Sequence, residues 1–430
     1  RAMMAKVANG MKRPFPPRVV IAGGGPAGLL SSILLSERCG VGSVVCERSA
    51  APASATDWTA KSYTIVLNER GKNALAKSAE CLAAASEEGQ ARRFLYFFDG
   101  KTGDTLKQPK EPPALGFTRP LLVSTLERVA LSRPDVTLRR GARVSKVAAT
   151  AAAGQDSEAA PSPFHVQLED GASLEADFIV GADGKWSSVR QSVDSIQNGT
   201  IVDCPAWGVH MTCPFVPEGW EETDGTFIIK DEAFYILGSP LPEDTGFSFS
   251  MVCSEEKTAA RYPWLLPCDR SEDYSDSWLG SSEEAAAAAD GEGALAGRLS
   301  RLLEETMPAF HAAVRGEETT RSARINRRAS WLKMMEGDSY ADYSGRVALI
   351  GDSAHAMTAS IGEGCNCALE SAAELVARVE ALMRERGEGF GKCSHQTLRD
   401  GFSDYGRSRP KEVQPVQLRS AIVNGWKETS

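Results

Sequence analysis

The sequence predicts an α/β protein, in which a parallel sheet drawn from both ends of the chain flanks an inserted antiparallel sheet. Residues 18–48 read as strand, tight turn, helix and strand, a βαβ unit that opens on a glycine-rich turn. Two later strands, near residues 177–181 and 347–350, are each followed by an acidic residue next to glycine. Residues 225–254 contain three strand-like runs separated by turns with acidic residues, Gly and Pro, typical of an antiparallel meander.

The composition narrows the class of protein. A chain of 430 residues predicts two or three domains, and 42% hydrophobic with 24% charged residues is ordinary for a soluble protein. A net charge of −9 argues against nucleic acid as a partner, because phosphate contacts need a basic surface. No apolar run reaches the roughly 18 residues of a membrane span. We therefore expect no transmembrane segment, while peripheral association with a membrane or a larger assembly stays open.

The cysteines and the first residues bear on the compartment. The ten cysteines lack metal-ligand spacing, which predicts no metal site and reduced thiols. The opening RAMMAKVANGMKRPFPP is basic and contains no acidic residue, as at the end of an organellar transit peptide. The expectation is an organelle, a plastid rather than a mitochondrion. The alternative is an arbitrary boundary of a cytoplasmic chain.

The glycine-rich turn has the spacing G-x-G-x-x-G. Gly23 allows the tight turn, Gly25 lets a pyrophosphate approach the backbone, and Gly28 allows close packing of helix on strand. The helix start then faces an anion. Glu47 ends the second strand, where its carboxylate can accept hydrogen bonds from ribose hydroxyls. The motif predicts a dinucleotide but leaves FAD and a nicotinamide as alternatives.

Two further motifs point to a family. They are DFIVGADGKWSSVRQ at 177–191 and GDSAHAMTASIGEGCN at 351–366. With the first motif, and in the same order, they resemble G-x-G-x-x-G, G-A-D-G-x-x-S-x-V-R and G-D-x-A-H-x-x-x-P-x-x-G-Q-G-x-N of the group A flavoprotein aromatic hydroxylases. The resemblance runs from Arg18 to about Arg419 and implies a p-hydroxybenzoate hydroxylase-like fold.

The resemblance also implies a reaction. Non-covalent FAD would be reduced by NAD(P)H, a transient co-substrate, and one oxygen atom from O2 would enter an aromatic, polyene or quinone-like small molecule through a flavin C4a-hydroperoxide. Two alternatives stay open: an FAD-binding subunit without turnover, and a flavin-dependent reductase.

The resemblance places fifteen residues around FAD. These are Gly23, Gly25, Ala27, Gly28, Glu47, Arg48, Arg119, Val144, Asp183, Gly184, Asp352, Gly362, Gly364, Cys365 and Asn366. Asp352 would hold the ribityl chain or a hydroxyl next to the phosphates. The helix that starts near Asn366 would direct its N-terminus at flavin N1 and C2=O, where the reduced flavin carries negative charge.

Finer similarity points to the kynurenine 3-monooxygenases. It rests on KSYTIVLNERG at 61–71, EAFYILGSPLPEDTGFSFSMV at 232–252 and FSDYGRSRPKEVQPVQLRSA at 402–421. Arg93 is the best match to the arginine that holds the substrate carboxylate in that family. Lys107 stands near the position where its partner tyrosine is expected, which leaves kynurenine itself open as the substrate.

Two positions in the third motif depart from the family. Ala359 replaces a proline and Glu363 replaces a glutamine. A carboxylate close to the flavin would oppose its reduced anion, so we expect Glu363 to point outward, drawn by the helix N-terminus.

The predicted FAD-binding domain comprises residues 17–75, 110–192 and 336–385. The substrate domain comprises 76–109 and 193–335, and 386–430 form a C-terminal helical segment. Residues 150–164 read as a surface insertion, 281–293 as a linker and about 294–315 as a helix. The pocket is expected between the flavin ring and the sheet at 225–254.

Overall fold

The structure is a computed structural model that describes residues 16–51, 64–149, 163–196, 199–265, 295–326, 329–334 and 338–427. Four segments named above lie wholly or largely outside the described residues. They are the basic opening, the insertion at 150–164, the linker at 281–293 and the first three residues of the segment at 61–71.

The strands are numbered in chain order. They are β1 Val19–Ala22, β2 Ser43–Glu47, β3 Thr64–Leu67, β4 Gln90–Phe98, β5 Thr105–Thr118, β6 Val136–Arg140, β7 Val144–Ala149, β8 Phe164–Leu168, β9 Ser173–Ala176, β10 Phe178–Gly181, β11 Thr200–Asp203, β12 Ala206–Cys213, β13 Gly225–Lys230, β14 Phe234–Pro240, β15 Phe247–Ser254, β16 Arg324–Asn326, β17 Ser330–Lys333 and β18 Val347–Leu349.

The helices follow the same order. They are α1 Pro26–Leu34, which continues as a π-helical turn Leu35–Cys39, α2 Glu69–Leu75, α3 Ala79–Glu88, α4 Arg119–Leu131, α5 Ser188–Ser192, α6 Glu255–Arg261, α7 Leu295–Thr306, α8 Pro308–Ala313, α9 Gly316–Thr320, α10 Asp352–His355, α11 Gly364–Glu385 and α12 His395–Val423. The single helix predicted at about 294–315 is divided, because Pro308 begins a new helix at a position where its missing N–H costs nothing.

A five-stranded parallel sheet forms the first half of the fold, in the order β18-β10-β1-β2-β6. All four residues of β1 are buried, as expected for a strand covered on both faces. Because the strands are parallel, their carboxyl ends share one edge. The glycine-rich turn and the two acidic motifs all follow strands of this sheet, so they meet at that edge.

An eight-stranded sheet forms the second half, in the order β16-β12-β15-β14-β13-β4-β5-β3. The meander predicted at 225–254 is confirmed as β13, β14 and β15, which pair antiparallel in sequence order. The pair of β4 with β13 is parallel. The predicted domain boundary at residue 110 falls inside β5, and β3, predicted to lie in the cofactor domain, belongs to this sheet.

The two faces of the eight-stranded sheet differ. Its back face is an aromatic core packed against α7 and α8, in which Trp220 stacks on Phe227 with ring centroids 4.0 Å apart. Phe234, Phe247 and Phe249 also point into this core. The front face carries the half-buried side chains that alternate along each strand with those of the back face. They are Leu95, Phe97, His210, Thr212, Thr226, Ile228, Tyr235, Leu237, Ser248, Ser250 and Val252.

Candidate active site

In the glycine-rich turn between β1 and α1, two glycines allow close backbone packing and a third leaves space for a ligand. A Cβ on Gly23, whose φ is +106°, would lie 2.3 Å from the carbonyl oxygen of Ala182, and a Cβ on Gly28 would lie 2.0 Å from that of Gly23. A Cβ on Gly25 would meet no atom within 4 Å. The outer glycines therefore pack the turn against its neighbours, and the middle one borders open space at the start of α1.

Glu47 stands beside this turn. Its carboxylate accepts hydrogen bonds from the backbone N–H groups of Gly24 and Ser49, both at 2.8 Å. The predicted contact with a ribose agrees with this position, because a carboxylate held by two backbone donors keeps further lone pairs for hydroxyls. Arg48, the next residue, is exposed.

The second motif forms the turn from β10 into α5. Asp183 accepts a hydrogen bond from Val189 N–H at 3.1 Å, and burial raises the pKa of its carboxyl group. Gly184 has a φ of +85°. Asp183 thus shapes the turn, whatever it contributes to a ligand. Val144 is buried in the core, so it can offer a cofactor only its backbone.

A buried arginine joins the second motif to the third. Arg190 donates hydrogen bonds to the carbonyl oxygens of Ser353, at 2.5 Å, and Lys185, at 2.7 Å. The Ser353 hydroxyl in turn donates to Gly181 O at 2.5 Å. The two motifs form one unit although more than 150 residues separate them in sequence.

Asp352 lies in a groove at the edge of the parallel sheet. Asp352 is open to solvent on the groove side and has protein close around it on the others. The resulting loss of hydration raises the pKa of its carboxyl group, whereas the positive charges of Lys185 and Arg119 lower it. The Cys365 thiol lies close enough to interact electrostatically with both Asp352 and Arg119. Burial raises its pKa to about 12. Lys185, which the sequence analysis missed, bonds to Ser330. Two cations therefore lie near the Asp352 carboxylate.

The start of α11 completes the groove. Gly362 precedes it with a φ of +67°, and the N–H groups of Gly364, Cys365 and Asn366 belong to the first turn, where no helical carbonyl is available to them. The Asn366 side chain is buried and donates to Val66 O at 3.0 Å and to Gly362 O at 2.9 Å. Asn366 can therefore serve a ligand only through its backbone.

Glu363 turns towards α2. Its Oε1 accepts a hydrogen bond from Asn68 Nδ2 at 2.8 Å, and its Oε2 lies 3.5 Å from Arg70 Nε. The side chain is 23% exposed and does not cap its own helix. The attraction expected from the N-terminus of α11 is thus replaced by a contact with α2.

The front face of the eight-stranded sheet mixes apolar with neutral polar groups. His210 and Ser250 share a hydrogen bond of 2.9 Å, and burial lowers the pKa of the imidazole. The Tyr235 hydroxyl is buried with no hydrogen-bond partner among the described residues, and burial raises its pKa to about 12. Both groups are neutral at pH 7.

The arginine predicted to bind a substrate carboxylate is on the surface. Arg93 is exposed, whereas its neighbour Arg92 is buried and donates to Thr223 O, Gln90 Oε1 and Pro240 O at 2.8–3.1 Å. Burial lowers the pKa of Arg92 to about 10. A bulge between residues 92 and 94 of β4 accompanies this exchange of positions. Its two terminal guanidinium nitrogens are engaged by the protein and its Nε is buried without a hydrogen-bond partner among the described residues, so Arg92 is a structural residue.

The groove fits a dinucleotide. Open space at Gly25, two helix starts, two cations and the Glu47 carboxylate match a pyrophosphate, a ribose and an electron-rich ring. Fold and groove together define a flavin-type dinucleotide-binding protein with a second, sheet-based domain. A family model described as an FAD binding domain matches residues 17–290 and 305–391, and the chain belongs to this family. Its cofactor is FAD.

Curated relatives are fungal proteins. The FAD-dependent monooxygenase cdmI of Talaromyces verruculosus is 25% identical over 398 residues, 87% of this chain and 71% of the relative. The FAD-dependent monooxygenase srdH of Neurospora crassa is 22% identical over 277 residues, 61% of this chain and 56% of the relative. The match to verC1 of Penicillium polonicum spans 30% of that protein.

Solved structures share the fold. HpxO of Klebsiella pneumoniae, complexed with FAD and uric acid, has a TM-score of 0.67 at 18% identity. The match covers 95% of this chain and 88% of the HpxO chain. A tetrameric 2-methyl-3-hydroxypyridine-5-carboxylic acid oxygenase has a TM-score of 0.63 at 20% identity, with 96% and 91% covered. In the part of the chain that is described, no helix has the length and apolar character needed to cross a bilayer.

Proposed function

We propose that the protein is an FAD- and NAD(P)H-dependent monooxygenase that inserts one oxygen atom from O2 into a neutral, largely apolar aromatic or polyene-like small molecule. The observation that carries the proposal is the pairing of the FAD groove with a half-buried sheet face that bears neutral hydrogen-bonding groups. The names of the curated relatives support the reaction type, and the front face supports the substrate class.

The connections of one loop support a pocket between groove and sheet. The loop from Ala356 to Asn366 accepts a hydrogen bond from Leu332 N–H of β17 at one end, at 2.8 Å, and binds Val66 of β3 at the other. β17 pairs with β11 in a separate two-stranded sheet, and Ala329, just before it, donates a hydrogen bond to Ala206 O at the start of β12, while β3 is an edge of the eight-stranded sheet. The loop therefore connects β17 to one edge of the eight-stranded sheet.

The chemistry of the front face favours an uncharged substrate. Leu95, Phe97 and Ile228 supply apolar surface, while Tyr235, His210 and Ser250 supply neutral donors and acceptors. A carboxylate would be costly here, because an ion moved out of water needs a partner of opposite charge. A planar ring system with hydroxyl, carbonyl or amide groups fits better.

FAD supplies the redox chemistry with O2 when it is bound. The start of α1 and the cations near Asp352 would hold its pyrophosphate, and Glu47 its ribose. The free N–H groups in the first turn of α11 would donate to the pyrimidine edge of the flavin, where charge develops on reduction. Tyr235, His210 and Ser250 would orient the substrate by hydrogen bonds.

The closeness to kynurenine 3-monooxygenases stays a finer proposal. It rests on the three segments quoted above, and the exposed position of Arg93 gives it no support in the site. We therefore favour a substrate without a carboxylate. The domain boundaries, apart from the one inside β5, the fifteen FAD contacts and an organellar location also stay proposals.

The test combines oxygen uptake with labelling. Purified protein loaded with FAD is incubated with NADH or NADPH and a matched probe pair, 1-naphthol and 1-naphthoate. The expected result is nicotinamide oxidation stimulated by the naphthol and one oxygen-18 atom from labelled O2 in the product. If nicotinamide reduces the flavin but no oxygen-18 enters 1-naphthol or another uncharged arene, the result would support a reductase. FAD binding without reduction would support a subunit that does not turn over.

A further inference from the structure

A line of alternating charges connects the loop at residues 356–366, called the flavin loop below, to the C-terminal helices. Arg70 NH1 lies 2.5 Å from Glu370 of α11, besides its contact with Glu363. Arg409 of α12 is buried and bonds to Glu370 at 2.6 Å and Glu412 at 2.7 Å. Glu363 is the member that belongs to the flavin loop itself. Among the described residues, Arg70 is the only cation in ion-pair contact with it, at 3.5 Å and without a hydrogen bond.

The start of α2 is pressed against the flavin loop. A Cβ on Gly71 would lie 2.3 Å from Asn366 Oδ1, so this neighbour of Arg70 has no room for a side chain. The backbone N–H of Asn68 donates to the same oxygen at 3.1 Å. This close contact fixes the backbone next to Arg70, and the bond to Glu370 holds its guanidinium. The side chain is 31% exposed, so its charge is partly shielded from solvent.

Two other groups face Glu363. Asn68 donates one neutral hydrogen bond to it. Lys110 of β5 is near enough for the carboxylate to counteract the lowering of its pKa by burial. No hydrogen bond or ion pair joins Lys110 to Glu363, so it is a weaker partner than Arg70.

We infer that Arg70 is a positioning residue that neutralises Glu363 and thereby lets this chain keep a carboxylate in the flavin loop without opposing reduction of the flavin. The inference rests on FAD occupying the groove and requires no monooxygenation. A glutamine at this position carries no charge to be neutralised. The glutamate here lies 3.5 Å from Arg70, which is also 2.5 Å from Glu370, and the pair of Glu363 and Arg70 is close to neutral.

The test is the reduction equilibrium of bound FAD, measured by equilibration with a reference dye in the absence of substrate and nicotinamide. Arg70→Gln should shift the equilibrium about tenfold towards oxidised flavin, about 30 mV for a two-electron couple. Glu363→Gln should shift it in the other direction by no more than about threefold. The double variant should return to within about threefold of the wild type, because two neutral amides replace a neutral pair.

Two controls separate charge from structure. Lys72→Gln removes a charge from the same helix at a side chain that bonds to Pro113 O rather than to Glu363, and should leave the equilibrium unchanged. Arg70→Lys keeps the charge but loses the guanidinium geometry, and should stay within about threefold of the wild type. If Arg70→Gln does not fold, Arg70→Lys still tests the inference, because a shifted equilibrium in this variant would contradict it. An unshifted Arg70→Gln, a shifted Arg70→Lys, or a double variant as low as Arg70→Gln would overturn the inference.

Discussion

The two sides of the proposed pocket use different parts of the polypeptide. On the cofactor side, the parallel sheet presents mainly backbone, at glycines and helix starts, together with three carboxylates that end or follow strands, Glu47, Asp183 and Asp352. On the substrate side, the eight-stranded sheet presents side chains from alternate positions of five strands. A backbone site needs particular residue types at fixed spacing, whereas a side-chain site can be built from many residue types. The cofactor side is therefore constrained by its ligand, and the substrate side is free to vary.

The largest expected effect tests the division among the glycines. Gly28→Ala should destabilise the protein by more than about 4 kcal/mol, because its Cβ would collide with Gly23 O. Gly25→Ala should leave the unfolding free energy of the FAD-free protein within about 0.5 kcal/mol of the wild type, yet weaken FAD binding about 100-fold, or about 3 kcal/mol. Urea unfolding and FAD titration measure both. Equal loss of stability in the two variants would contradict the assignment of Gly25 to access.

The second prediction compares the faces of the eight-stranded sheet. Phe249→Ala on the back face should cost about 3–5 kcal/mol, because it opens a cavity in the aromatic core. Leu237→Ala on the front face should cost less than about 2 kcal/mol, because the side chain is only half-buried. Both are measured by urea unfolding at fixed, saturating FAD. A larger cost at Leu237 would mean that the front face is a packed core and not a pocket wall.

The third prediction concerns Glu47. Glu47→Ala should weaken FAD binding by about 1–3 kcal/mol, since the ribose loses its acceptor and the N–H of Gly24 its partner. Glu87→Ala, which removes an exposed glutamate of α3 outside the proposed FAD contacts, is the matched control, with an expected change within about 0.5 kcal/mol. Isothermal titration with FAD decides, and unchanged affinity for Glu47→Ala would remove the residue from the site.

The smallest effect is expected at Tyr235. Tyr235→Phe removes a buried hydroxyl that has no partner among the described residues, so stability should stay equal or rise by up to about 1 kcal/mol. Binding of 1-naphthol should weaken if the hydroxyl faces the substrate. A clear loss of stability would show that the hydroxyl has a structural partner.

The sequence allowed the parallel sheet and the cofactor groove to be predicted because their motifs are local. The spacing from Gly23 to Gly28 and the carboxylate at Glu47 follow from the needs of a pyrophosphate and a ribose, and the strands and α1 lie where they were expected. The meander at 225–254 was also found, because alternation along a strand is a local signal.

Pairing across the fold could not be predicted in the same way. The contact of Glu363 with Arg70 joins residues 293 positions apart, and nothing in either local pattern indicates it. The choice between Arg92 and Arg93 depends on a bulge in β4, which reverses the faces of the residues that follow it. Lys185 stands at a variable position of its motif and gave no signal.

The strand order has a consequence for how the chain folds. β18 at Val347–Leu349 pairs with β10 at Phe178–Gly181, and β4 pairs with β13, which follows it by more than a hundred residues. Both sheets thus stay incomplete until most of the chain has left the ribosome, with apolar strand edges uncovered in the meantime. The proposed FAD groove lies at the ends of β1, β2, β10 and β18, so FAD binding favours, by mass action, the state in which these strands have paired. The supply of flavin during synthesis is therefore expected to affect how much folded protein a cell accumulates.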